Sequence, residues 1–131
     1  MLNVFTVCFF GHRYVDDFHL AEMKVFELIY KLIREKEYVE FLVGREGDFD
    51  QIVSSTIIRA KLECDYNNCS HTLVMPYLKS DFSKYPEDYE NYYDTVEICE
   101  KSANTHLKSA IQICNRYMVD RSDLCIFFVH N

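Results

Sequence analysis

The sequence is poor in residues that keep a chain open: its 131 residues include 3 glycines and 2 prolines, while 49% fall in the broad apolar set. A collagen-like or disordered chain is excluded, because those classes need far more Gly, Pro or charge and bury far less apolar surface. Basic charge is scarce too. Fourteen Lys and Arg against 21 Asp and Glu leave a formal charge of −7. The broad basic footprint that duplex phosphates require is missing, so no duplex nucleic acid is expected as a partner. Net charge reports a summed field, however, and leaves room for one small basic pocket. No apolar run approaches the ~20 residues that span a bilayer, and no basic leader precedes the first apolar stretch. The expectation is a soluble, cytoplasmic protein without a membrane partner. The six cysteines contain no CxxC pair and read as reduced thiols. The length fits one domain, residues 1–131, around one hydrophobic core.

What is present is an alternation of short apolar runs and amphipathic stretches. Residues 4–10 (VFTVCFF) form a nearly continuous apolar run stopped by Gly11, the pattern of a strand covered on both faces. From a capping Asp16 or Asp17 to about residue 36, Phe18, Ala21, Val25, Leu28 or Ile29, and Leu32 recur at steps of three and four, which predicts an amphipathic helix. A second run, 39–43 (VEFLV), ends at Gly44, and a helical pattern follows Asp48 through Ile52 or Val53, Ile57 and Ala60. Residues 71–75 (HTLVM) predict a third strand closed by Pro76. The acidic, tyrosine-rich stretch 77–93 has no clean period and contains Pro86, so a long loop with partial helix is expected there, either a lid over a site or a peripheral cover. Ala103, Leu107, Ala110, Cys114 and Tyr117 mark a third helix, and 124–129 (LCIFFV) a last strand.

Strands separated by helices pair in parallel, because each crossover needs a dozen or more residues and returns right-handed over the sheet. The expected class is α/β: a Rossmann-like three-layer fold on a mostly parallel sheet of about four strands. Ligands of such sheets gather beyond the carboxyl ends of the strands, which directs attention to the loops there.

The first loop, Gly11-His12-Arg13, brings a glycine turn, an imidazole and a guanidinium to that edge, a plausible anion clamp or a turn with solvated charges. The second, from Gly44 through Arg45, Glu46, Gly47 and Asp48 to Asp50, opens the second helix. Its glycines can bring backbone donors near a phosphate, and Glu46 and Asp50 can hydrogen-bond ribose hydroxyls or act as general bases. The plain alternative is a capped helix start. Ser102 and His106 share one side of the third helix at i and i+4, near the same edge. Charges in the turn before the last strand, Asp120 and Asp123 among them, lie at the amino end of that strand and are expected to tie the turn. Cys64, Cys69 and His71 offer three soft ligands without a fourth, so no metal site is expected, and no motif calls for a cofactor.

The segments CFFGHR, FLVGREGDFD and NRYMVDRSDLCIFFV together resemble the YpsA-like branch of the SLOG superfamily, Rossmann-like proteins related to the lonely-guy and DprA groups. The resemblance runs from about residue 4 to 129 and implies a sheet that binds nucleotides or nucleotide-derived molecules, with Gly11, His12, Arg13, Gly44, Arg45, Glu46, Gly47 and Asp50 as pocket candidates. Relatives continue past the last strand into a glycine-rich turn and another helix, where the lonely-guy enzymes carry PGGxGTxxE, so by this resemblance the sequence is C-terminally short. That leaves the last strand near an uncovered edge and leads us to expect a homo-oligomer. Three functions follow as expectations: binding or sensing of a nucleotide-like small molecule; phosphoribohydrolase-like N-glycosidic hydrolysis with Glu46 or Asp50 as the acting carboxylate; or a non-catalytic interaction module using the tyrosines of 85–93.

Overall fold

Five strands alternate with helices in the computed structural model, which describes residues 2–129. The order is β1 (Val4–Gly11), α1 (Phe18–Glu35), β2 (Tyr38–Val43), α2 (Asp48–Glu63), β3 (Cys69–Met75), α3 (Ser80–Lys84), α4 (Pro86–Tyr92), β4 (Thr95–Ile98), α5 (Leu107–Arg121) and β5 (Leu124–Phe128). Every neighbouring pair is parallel, in the spatial order β4-β3-β2-β1-β5. The α/β, Rossmann-like three-layer architecture is therefore present. No helix among the described residues is long and apolar enough to cross a membrane.

Strand side chains alternate between two helical layers, which is why the strands read as unbroken apolar runs. Val7 and Phe9 of β1, Phe41 and Val43 of β2, and Leu73 and Met75 of β3 pack toward α1 and α2. Cys8, Leu42 and Val74 face the other way, toward Cys114 and Met118 of α5. α1 is capped by Asp17, whose side chain accepts the Leu20 N–H at 3.0 Å, and it buries Ala21, Val25, Ile29, Leu32 and Ile33 as its spacing requires. β5 is pinned beside β1 by a reciprocal pair: Thr6 N–H donates to Asp123 Oδ2 at 2.8 Å, and Asp123 N–H to Thr6 O at 2.7 Å. Asp123 ties the turn, as expected.

Two regions depart from the sequence reading. The predicted loop over 77–93 and the residues after it form α3, α4 and a fifth strand, β4, where about four strands were expected. β4 is four residues long, too short for its alternation to register, and it is held by its ladder to β3. Pro86 opens α4 at its first turn, where its missing N–H costs nothing, so here it starts a helix. The third predicted helix, expected from Ala103, begins only at Leu107. Residues 99–105 instead form turns in which Ser102 N–H and Ala103 N–H both donate to Cys99 O.

Candidate functional site

The two glycine loops do meet, through their backbones. Asp48 N–H donates to Arg13 O at 2.7 Å, and Val15 N–H donates to Asp48 Oδ2 at 3.0 Å. Gly47 lies against this junction so closely that an added Cβ would fall 2.6 Å from Arg13 Cα. Gly11 is similarly crowded: a Cβ there would lie 2.4 Å from the Phe49 ring. Gly47 is explained by close packing between the loops, and Gly11 by the Phe49 ring in the first turn of α2.

That packing corrects the expected anion clamp. Two cavities open at the carboxyl edge of the sheet, and neither is lined by His12 or Arg13, both of which are exposed. The first loop braces the second, and of its three residues Gly11 alone reaches a cavity, the smaller one. The larger, about 670 Å³, falls within the ~300–1,000 Å³ common for ligand sites. It is lined from Gly44 to Asp48, by Asp50, Gln51 and Ser54 of α2, and by Asp88, Tyr92 and Tyr93. The smaller, about 200 Å³, lies under α5 and shares Gly44, Glu46 and Asp50 with the larger.

Arg45 does not reach outward as a phosphate fork. Its guanidinium sits 4.4 Å from the centre of the Tyr89 ring and donates to the Tyr93 hydroxyl at 3.3 Å, a cation over an aromatic face. Glu46 is paired with Lys79 at 2.5 Å. The lining of the larger cavity is acidic, with Glu46, Asp48, Asp50 and Asp88 against Arg45. Asp50 accepts the Glu46 N–H at 2.8 Å, closing the loop on itself. Burial raises the Asp50 carboxyl above its ordinary value; the Glu46 charge adds to this, while the Glu46 N–H and Lys79 oppose it. A carboxyl moved upward at the wall of a cavity can hold or release a proton there.

Ser54, which lines the larger cavity, is paired with a buried histidine that is itself outside the lining. His71 of β3 is 1% exposed, its Nε2 lies 2.9 Å from Ser54 Oγ, and the Tyr93 ring centre is 4.7 Å away. Burial drives the His71 pKa down to about 4, against the opposing pull of Asp94, so the imidazole is neutral at pH 7. Its Nδ1 has no hydrogen-bond partner among the described residues.

Ser102 and His106 are not in this group. The Ser102 hydroxyl is fully buried and donates to Pro76 O at 2.6 Å, while His106 caps α5, its Nδ1 accepting the Lys108 N–H at 3.4 Å. They share no helix face, because the helix starts after both. Cys64, Cys69 and His71 do not converge, and among the described residues no three His, Cys, Asp or Glu side chains form a metal cluster. Tyr89 and Tyr93, expected at a partner surface, are 2% and 4% exposed and belong to the core. Tyr92 and Tyr93, expected in a lid or cover or at a partner surface and not among the pocket candidates, together form one wall of the larger cavity. Ser54 was legible in principle, since it stands one helical turn beyond Asp50. No protein-family model matches the sequence, and no curated protein matches it.

Proposed function

We propose that this is a SLOG-type binding or sensing domain for a nucleotide-derived small molecule, held over the carboxyl end of β2. The observation that carries this reading is the placement of Glu46 and Asp50 where two cavities join, at the sheet edge at which α/β folds hold ligands. Carboxylates at such a junction suit the hydroxyls of a sugar. The acidic lining selects against many phosphates, because each would face Asp50, Asp88 and Asp48 with Arg45 alone in the lining to offset them. Titration calorimetry with adenosine, AMP, ADP-ribose and ATP tests the reading. Binding that weakens as phosphates are added is expected, and no heat from any of the four at millimolar concentration would overturn it.

The second reading is N-glycosidic hydrolysis, favoured by the raised Asp50 carboxyl. In it the C1′–N bond breaks as Asp50 delivers a proton to the departing base, Glu46 faces the oxocarbenium-like sugar, and a water adds its oxygen to C1′ while its proton returns to Asp50. Release of free base from AMP, lost in Asp50→Asn, would support it, and wild-type rates equal to buffer would remove it.

A homo-oligomer is proposed through β5, an edge strand that carries no charge and leaves Phe127 62% exposed. Light scattering should give a dimer or larger mass that falls to the monomer in Phe127→Lys; a monomeric wild type would refute this.

A further inference from the structure

The smaller cavity differs from its neighbour in chemistry. Beneath α5 its walls are Phe10, Val74, Ile111, Cys114 and Met118, and away from the shared junction its one polar side chain among the described residues is the amide of Asn115. Burial pushes the Cys114 thiol up to about 12, so this wall is an uncharged sulfur at neutral pH. At about 200 Å³ the space lies below the usual ligand-pocket range, with room for one ring system. A sugar placed there would lose its hydrogen bonds to water against apolar walls. An anionic group would meet Glu46 and Asp50 at the mouth. A flat heterocycle suffers neither cost. Its faces are apolar, and its polar edge can meet the Asn115 amide, which offers both a donor and an acceptor.

The junction sets the order of the parts. Gly44 lies between the halves, and a Cβ added to it would stand 3.0 Å from Asp50 Oδ2, so a side chain there would press on the carboxylate that both cavities share. We infer that the ligand is a riboside bound in two parts, its flat nitrogen heterocycle under α5 beside Asn115 and its sugar across Glu46 and Asp50, with any further substituent in the tyrosine-walled cavity. This rests on the reading of the junction at Glu46 and Asp50 as a sugar site and adds to it the ring's location and the neutral riboside class.

The test uses the wild-type chain labelled at backbone amides and at Ile and Met methyl groups, titrated with adenosine and, separately, with ribose. Adenosine should shift the Ile111 and Met118 methyls and bind about tenfold or more tightly than ribose, whereas ribose should shift only backbone amides of residues 44–50. Calorimetry on Ile111→Trp, which fills the small cavity, should show adenosine reduced to the affinity of ribose with ribose unchanged, and Asn115→Leu should weaken adenosine alone. Equal affinity for adenosine and ribose, with both methyls unmoved, overturns the ring assignment and leaves the sugar site standing. Binding of neither compound overturns both.

Discussion

Lowering the pH from 7 to 4.5 should weaken the fold by about 2–3 kcal/mol through one side chain, His71. In the folded chain its imidazole is packed against Ser54 and Tyr93 and holds a pKa of about 4, whereas in the unfolded chain it returns to its ordinary 6.5. The unfolded state therefore binds a proton at a pH where the folded state refuses one. The stability that the neutral imidazole preserves is complete above pH 6.5, falls as the pH drops, and levels off below about 4. The gap between about 4 and 6.5 at 1.36 kcal/mol per pH unit gives a total near 3.4 kcal/mol, most of it lost by pH 4.5. At 1% exposure solvent does not screen the effect. Asp94, held below its ordinary range by Lys61 and the His71 N–H against the cost of burial, gives stability that is lost only as the pH falls below 3.8, a separate window. Asp50, raised by burial, acts in the opposite sense and recovers some stability as acid protonates it. Urea unfolding of wild type and His71→Gln at half-unit steps from pH 7.5 to 4 measures this. The wild-type free energy should fall through the window while the variant stays nearly level. Parallel curves would refute the buried neutral imidazole.

Three further outcomes follow from packing and charge. Gly47→Ala puts a Cβ 2.6 and 2.8 Å from the Arg13 Cα and O, backbone atoms that cannot swing aside, and should cost about 1–3 kcal/mol in urea; an unchanged midpoint would show that the loops are not in contact. Arg121 joins Glu97 at 2.6 Å and Glu40 at 3.0 Å, so Arg121→Met should cost about 1–2 kcal/mol, discounted for partial solvent access, and Glu40→Gln with Glu97→Gln should restore part of it. Cys8 and Cys125 lie 3.4 Å apart between Sγ atoms, yet burial pushes the Cys8 thiol up to about 12, so it should react with Ellman's reagent no faster than the chain unfolds. Rapid labelling of native Cys8 would contradict that.

The sheet was legible because strands buried on both faces leave unbroken apolar runs, as Val7 to Phe9 do between two helical layers. α1 was legible because its one buried face repeats at helical spacing. β4 was not, since four residues held by pairing to β3 leave no pattern of their own. The glycines pointed to the right loops for a different reason: Gly11 makes room for the Phe49 ring and Gly47 for the Arg13 backbone, while the Arg45 guanidinium follows other partners. Arg45 turns onto Tyr89, a residue more than forty positions away whose burial no local pattern announces. Ser102 was misplaced because its hydroxyl satisfies the Pro76 carbonyl and holds a turn where periodicity alone extends the helix.

A nucleotide-derived molecule held, as proposed, where Gly44, Glu46 and Asp50 join the two cavities should perturb the backbone around it. Backbone amide shift mapping with AMP tests this most directly. Saturable shifts should concentrate at residues 44–50 and at Tyr92 and Tyr93, with affinity reduced at least tenfold by a paired Glu46→Ala and Asp50→Ala change in a chain that still folds. Shifts confined to the Gly11–Arg13 loop, or none at millimolar AMP, would contradict it.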